Sequence, residues 1–399
     1  MADPNAAILV VDDVAENRDL LIRRLKRLGF GRLDEAANGH EALAAIGKTA
    51  YDLVLLDIMM PELDGFGVLD ALKASGAIHD LPVIVVSALN EIEPVVRCIE
   101  LGADDFIFKP FNPTLLRARV MATLEKKALR DRTRDELRRK QVELNEARTL
   151  QLALVPPAFS GEVAGRQLSV DALLEPAKEV GGDLVDYFTV GDDLLALIVG
   201  DVSDKGAAAA LMMARTHAMF RALAARPDAP ALFGEPARAV SMVNDALARG
   251  NGGCMFVTLT LAVLHAPSGK LDYVRAGHVP PFLRQADGGA VRLNGIGAPA
   301  LGVIEEFPYR AAQAQLAAGD RLLIVTDGFT EAQNAADELY GEERLGALFA
   351  ALGAQNAGTD EAGLLTRLVA DVRAFEAGMP AFDDMAAILL AFGPDGAAL

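Results

Sequence analysis

The sequence predicts an α/β doubly wound domain over residues 1–122, a helical or coiled-coil linker over 123–158, and an α+β domain over 159–395. In the last, β-sheets are sandwiched by helices. Three observations carry this division. Short Val-, Ile- and Leu-rich runs alternate with amphipathic stretches at the start, the pattern of strands buried on both faces of a parallel sheet. A stretch without Gly or Pro, dense in charges of both signs, follows up to Pro156. Strand-like runs dominate the remainder, and two of the strongest end in an aspartate.

The elements follow in order. In the first segment the apolar runs are AILVV (7–11), YDLVLLD (51–57), LPVIVVSA (81–88) and DFIFKP (105–110), with helical stretches such as Glu16–Leu28 between them. In the linker, Leu137, Leu144, Ala147 and Leu154 form a ragged apolar seam at heptad-like spacing, which predicts a homodimer through a short parallel coiled coil. In the third segment, DLLALIVGD (193–201) and DRLLIVTDG (320–328) are apolar strands and VTLTLAV (257–263) alternates with period two. Residues 207–225 read as a helix, and SGK (268–270) and ADGG (286–289) as hairpin turns.

Composition narrows the function. The chain has 399 residues, with 56 acidic against 38 basic side chains, a net charge of −18. An acidic chain without a helix-turn-helix pattern argues against nucleic-acid binding. No uninterrupted apolar run reaches the length of about 18 residues that a membrane span needs. MADPNAAILVVDD lacks the charged and apolar regions of a signal peptide. A cytoplasmic location with no membrane contact is expected. The two cysteines, Cys98 and Cys254, make no disulfide framework and read as small buried hydrophobes.

Two groups of residues carry chemistry. Asp12 and Asp13 follow the first predicted strand, and Asp57, Ser87 and Lys109 end the third, fourth and fifth. The carboxyl edge of an open α/β sheet is where ligands bind. Three carboxylates together repel one another unless a hard divalent cation joins them. A lysine opposite neutralises a phosphoryl group that lands on a carboxylate. VVDD (10–13), DIMMPELDG (57–65) and FKP (108–110) resemble the response-regulator receiver domain over the whole segment. The resemblance implies a flavodoxin-like sheet of five parallel strands and a sensor histidine kinase that phosphorylates Asp57. It implies Mg²⁺ held by Asp12, Asp13, Asp57 and the carbonyl of Met59, phosphate contact by Lys109, Ser87 and Phe106 as the switch pair, and a cis Lys109–Pro110 bond.

The third segment carries acidic clusters at EVGGD (179–183), GDVSDKG (200–206), TDG (326–328) and FDDM (382–385). Carboxylates that converge on strand ends suit a two-metal site, and oxygen-only donors favour Mn²⁺ or Mg²⁺. With AGHVPP (276–281), these clusters resemble the PP2C-type metal-dependent serine/threonine phosphatases, in the bacterial SpoIIE/RsbU-like branch. The resemblance implies a PP2C-like β-sandwich flanked by helices. It implies that Asp201 bridges both metals, that Asp183 and the carbonyl of Val202 complete one, and that Asp327 and Asp383 complete the other, with Asp384 as the alternative to Asp383. It further implies hydrolysis of a phosphorylated anti-sigma-factor antagonist of the STAS type, without a covalent enzyme intermediate. The other function class is a catalytically silent adaptor that binds a partner. Asp204 stands where the family loop has glycine, and Ala386 where it has threonine. His278 reads as structural or as support behind the ligands, Asp186, Asp192 and Asp193 as turn or surface groups, and Lys178 and Lys205 as solvated or loop-fixing.

Overall fold

The computed structural model describes residues 4–88, 92–178, 180–249, 251–286, 288–355, 361–379 and 381–395. Glu179 of the EVGGD cluster and Asp287 of the ADGG turn lie outside the described residues. The chain forms two compact units, Met1–Gln141 and Val142–Leu399.

In the first unit the elements run β1 (Ala7–Val11), α1 (Ala15–Arg27), β2 (Arg32–Ala36), α2 (Gly39–Ile46), β3 (Leu53–Asp57), α3 (Gly65–Ala74), β4 (Val83–Ser87), α4 (Ile92–Glu100), β5 (Asp105–Phe108) and α5 (Pro113–Leu152). The five strands are parallel, in the order β2-β1-β3-β4-β5. Successive residues of a strand point to opposite faces, and both faces are covered. Leu9, Val11, Val54, Leu56, Val83 and Val85 enter one core, with Val68 and Leu72 of α3. Ile8, Val10, Leu53, Leu55, Ile84 and Val86 enter the other, with Leu21 and Leu25 of α1 and Leu116 and Val120 of α5. Each such side chain contributes roughly 1.5–3 kcal/mol by leaving water. The predicted 122/123 boundary falls inside α5, whose 40 residues run on to Leu152 without a break. Along it, Leu137 and Ala147 are exposed and Leu144 is half-buried. Leu154, the last seam position, packs against a core of the second unit instead.

The second unit runs β6 (Phe159–Val163), β7 (Arg166–Glu175), β8 (Leu184–Val190), β9 (Leu194–Val202), α6 (Ala207–Ala224), α7 (Ala229–Phe233), α8 (Pro236–Ala248), β10 (Val257–His265), β11 (Lys270–Ala276), β12 (Phe282–Arg284), β13 (Ala290–Arg292), β14 (Gly297–Ala298), β15 (Ala312–Gln315), β16 (Arg321–Val325), α9 (Glu342–Gln355), α10 (Glu361–Glu376) and β17 (Met385–Asp395). One sheet is ordered β14-β11-β10-β9-β8 with β15 on β11, the other β13-β12-β16-β17-β7-β6. Leu195, Leu197 and Val199 of β9 face Leu322, Ile324 and Ile388 across the sandwich. The alternate residues Ala196 and Ile198 pack under Met213 and Phe220 of α6. On the far side Leu323, Val325 and Leu389 meet Phe349 of α9 and Leu368 of α10. The period-two pattern of each strand thus builds a helix–sheet–sheet–helix stack and brings the aspartate-bearing strand ends together.

Candidate functional site

At the carboxyl edge of the first sheet, the strand ends deliver the expected groups to one pocket. Ligand oxygens of Asp12, Asp13 and Asp57 lie within 4.8 Å of one another, and Asp12 and Asp57 are buried. Lys109 Nζ sits 2.7 Å from Asp12 Oδ2 and 2.7 Å from Asp57 Oδ2. Burial raises the Asp57 carboxyl above its ordinary range, against the pull of the Lys109 hydrogen bond and charge. Burial works to lower Lys109, but its two carboxylate partners outweigh it and the net shift is upward, so it stays charged. The backbone N–H of Met59 approaches Asp57 Oδ1 at 3.4 Å. Asn17, which the sequence reading passed over, donates to Asp12 Oδ1 at 3.1 Å. Ser87 is buried at the end of β4, and Phe106 is half-buried beside it in β5, edge-on to Phe108. The Lys109–Pro110 bond is cis, as expected.

The second site is assembled from both sheets. Leu184 pairs with Gly200, so Asp183 lies beside Asp201 at one end of the β8–β9 ladder. Val325 pairs with Ala387, so Asp327 follows β16 at the end where Asp383 and Asp384 precede β17. Thr326 ties the sheets: its hydroxyl donates to Asp183 Oδ2 at 2.7 Å and accepts from the Ala386 N–H at 2.9 Å. The adjacent acids divide their work. Asp384 is buried and accepts from the Ala177 N–H at 2.7 Å and the Gly182 N–H at 2.9 Å. Asp383 is half-exposed and meets Lys205 Nζ at 2.9 Å. Glycine is required where these loops touch. A Cβ on Gly328 would lie 1.8 Å from the Asp384 carbonyl oxygen, and one on Gly181 would lie 2.0 Å from Asp384 Oδ2.

The electrostatics are those of carboxylates short of positive charge. Burial, then the charges of Asp201 and Asp384, hold Asp183 well above the carboxylate range. Burial and the Asp327 charge push Asp201 to about 7, and burial with Glu331 and Asp383 pushes Asp327 to about 6. A hydrogen bond between the carboxyls of Asp183 and Asp201 links the two. Buried oxygen donors of this kind fit hard divalent cations such as Mg²⁺ or Mn²⁺. Among the described residues, only Asp12, Asp13 and Asp57 bring three carboxylates within 4.8 Å of one another; the second site is more open.

Several readings change. Asp186 is no surface group: it is buried in β8 and accepts from Arg221 Nε of α6 at 2.7 Å. Cys254 is exposed rather than buried, because it occupies a turn closed by its N–H donating to the Asn251 carbonyl. Lys205 does fix loops, through Asp383 and a 2.7 Å bond to the Phe382 carbonyl. His278 is buried with Nδ1 3.0 Å from Thr258 Oγ1, and burial depresses it to about 3, so it is neutral. Gln151 was missed. From the last turn of α5 its buried amide donates to the Gly181 carbonyl at 3.0 Å and accepts from the Gly181 N–H at 3.0 Å. A single polar residue in LQLAL carries no periodic signal that would have marked it.

Comparison with known proteins follows this division. Residues 191–393 match the family Stage II sporulation protein E (SpoIIE), and residues 8–121 match the response regulator receiver domain. Protein IcfG of Synechocystis is 30% identical over 226 residues, 51% of this chain and 35% of that protein. The probable transcriptional regulator ycf27 of Porphyridium aerugineum is 42% identical over 119 residues, 30% of this chain and 48% of that protein. The chain therefore spans between a third and a half of these relatives. The SiaA-PP2C domain of Pseudomonas aeruginosa shares the fold, with a TM-score of 0.53 at 20% identity over 64% of this chain and 98% of that one.

Proposed function

The chain belongs to the stage II sporulation protein E (SpoIIE) family and carries a receiver domain ahead of its SpoIIE domain, and from that premise we propose that it is a response regulator whose phosphorylation at Asp57 controls a metal-dependent phosphoserine/phosphothreonine protein phosphatase. The observation that carries the reading is the hydrogen-bonded carboxyls of buried Asp183 and half-buried Asp201 at the joint of the two sheets, pushed up by burial and by the charges of Asp327, Asp383 and Asp384.

In the receiver, a sensor histidine kinase is the phosphoryl donor and Asp57 the acceptor. Asp12, Asp13 and the Met59 carbonyl would hold Mg²⁺ beside it, and Lys109 would neutralise the phosphoryl oxygens. Ser87 and Phe106 register the change and bias the receiver between two conformations. The helix α5 carries that bias, and Gln151 at its end holds Gly181, two residues before Asp183.

In the phosphatase, Asp201, Asp183 and the Val202 carbonyl, with Asp327 and Asp383, are the groups that would hold two divalent cations. Asp383 is the better ligand than Asp384, because both Asp384 oxygens already accept backbone N–H groups. Two bound Mn²⁺ or Mg²⁺ ions supply a water of lowered pKa and screen the phosphate charge. Thr326 keeps Asp183 oriented, and Lys205 keeps the Asp383 loop against the Asp201 loop. The substrate is a phosphorylated anti-sigma-factor antagonist, and α5 pairs two copies of the chain.

The test is Mn²⁺-dependent hydrolysis of p-nitrophenyl phosphate and of a phosphoserine protein by wild type and Asp201→Asn, each with and without beryllofluoride. Turnover lost in the variant, with a rate that beryllofluoride changes in wild type, is the expected result. No turnover in any state points to the adaptor instead.

A further inference from the structure

The turn that follows Asp201 and Val202 is held between two half-exposed aromatic side chains. On one side Ser203 donates its backbone N–H to the Phe256 carbonyl at 2.9 Å, and its hydroxyl accepts the Phe256 N–H at 2.9 Å. On the other side Lys205 Nζ bonds the Phe382 carbonyl and lies 5.0 Å from the Phe382 ring centroid. Phe256 is 39% exposed and Phe382 is 49% exposed.

Behind Phe256 opens a groove of about 380 Å³, walled on its far side by Gly302, Val303 and Glu305. That wall is rigid. Asn244 accepts the Gly302 N–H at 3.0 Å and donates to the Ile304 carbonyl at 2.8 Å. Asn251 donates to the Gly302 carbonyl at 3.0 Å, and Asp245 accepts the Glu306 N–H at 2.8 Å. Yet the wall presents Val303, 55% exposed, and Ile304, 48% exposed. A pinned loop that keeps two β-branched side chains in water, at the groove behind Phe256, gains nothing for the fold and suits an incoming apolar surface.

We infer that Phe256, Val303, Ile304 and Phe382 form the docking rim for the phosphoprotein substrate, and that they select apolar side chains flanking its phosphorylated residue. The inference rests on the phosphatase reading and adds what that centre prefers. A small phosphate ester reaches the aspartates without touching the rim. A protein surface that brings phosphoserine to them passes over Phe256 on one side and Phe382 on the other. Continuity of groove, turn and candidate centre therefore assigns the rim to the substrate rather than to a second copy of the chain.

The experiment compares p-nitrophenyl phosphate with two synthetic phosphoserine decapeptides, one flanked by Val, Ile and Leu and one by Gly and Ser. It uses the full chain with Mn²⁺, as wild type and as the double variant Val303→Ser, Ile304→Ser. Wild type should favour the apolar-flanked peptide about tenfold in kcat/KM, the worth of one or two buried methylene-rich contacts. The variant should lose that preference while its rate on p-nitrophenyl phosphate stays unchanged. Binding of a non-hydrolysable phosphonate form of each peptide, followed by fluorescence anisotropy, should show the same preference without turnover. Equal kcat/KM for both peptides in wild type, or a preference that survives in the variant, overturns the inference. Loss of a concentration-dependent dimer in the variant, with the peptide preference intact, assigns the rim to a second copy. Absence of p-nitrophenyl phosphate hydrolysis alongside selective phosphonate binding would leave docking standing and indict the phosphatase reading.

Discussion

Replacing Asp201 by Asn should make the metal-free protein more stable at alkaline pH while abolishing its metal-dependent activity. Burial and Asp327 raise the Asp201 pKa from 3.8 to about 7. A carboxyl whose folded-state pKa lies above its unfolded-state value does not destabilise the fold below the latter. The penalty grows from about pH 4 and is complete above about pH 7. At about 1.4 kcal/mol per pH unit, the gap sets a ceiling of about 4 kcal/mol. Asp183 shares the proton and solvent reaches Asp201, which brings the working figure to about 2 kcal/mol. The Asn side chain cannot ionise, and its amide can still donate to Asp183. For a unit of this size, about 2 kcal/mol corresponds to a Tm gain of roughly 4–8 °C. The assay is scanning calorimetry of the full chain in EDTA, and the transition that Mn²⁺ raises in wild type identifies the phosphatase unit. The gain should be full at pH 8 and about half as large at pH 5.5, by the linkage above. A variant no more stable than wild type at pH 8, or a gain equal at both pH values, refutes the reasoning.

Asp57→Asn should keep the basal phosphatase rate and lose its response to beryllofluoride, read with p-nitrophenyl phosphate. Asp204 holds a φ of 79°, and Asp204→Gly should relieve strain of about 1 kcal/mol, seen as a higher denaturant midpoint with Mn²⁺-dependent turnover retained. Gln151→Leu strands the Gly181 N–H and C=O in a buried position. It should cost about 1–3 kcal/mol and raise the Mn²⁺ concentration for half-maximal rate, measured by metal titration, while Asp57 still takes up label from acetyl phosphate.

What was legible in the sequence was what alternation and strand-end chemistry encode. The runs at β1, β3 and β4 are buried on both faces, so their composition announces them. RLDEA of β2 lies at the sheet edge with only Ala36 buried, so no apolar run marks it. The linker read as a separate helix because Gly and Pro are absent there, yet the same absence lets it fuse with the last receiver helix into α5. Asp383 is preferred on the resemblance, but what separates it from the adjacent Asp384 lies elsewhere in the chain. The backbone partners of Asp384, Ala177 and Gly182, lie some 200 residues earlier in the chain. Asp186 was misread for the same reason: Arg221, which lets it stay buried, is 35 residues away.

The two candidate centres handle crowded carboxylates differently, and the difference bears on how each works. In the receiver the chain brings its own cation: Lys109 touches both Asp12 and Asp57. A charged lysine 2.7 Å from each opposes, at Asp57, the upward push of burial. In the phosphatase unit, Asp183 has the Thr326 hydroxyl, and Lys205 is committed to Asp383 and the Phe382 carbonyl. Asp183 and Asp201 consequently hold protons that a divalent cation must displace, so metal affinity there should rise with pH through about 7, the Asp201 value. Any movement of the Gly181–Asp183 loop changes how close those two acids stand, and Gln151 grips that loop by its first glycine. Because a Cβ at Gly181 would meet Asp384 Oδ2, the loop cannot shift there without disturbing Asp384 and, through it, Gly182 beside the candidate ligand. A displacement of the helix end attached at this point would act on the spacing of the carboxylates, the quantity on which cation binding depends most steeply.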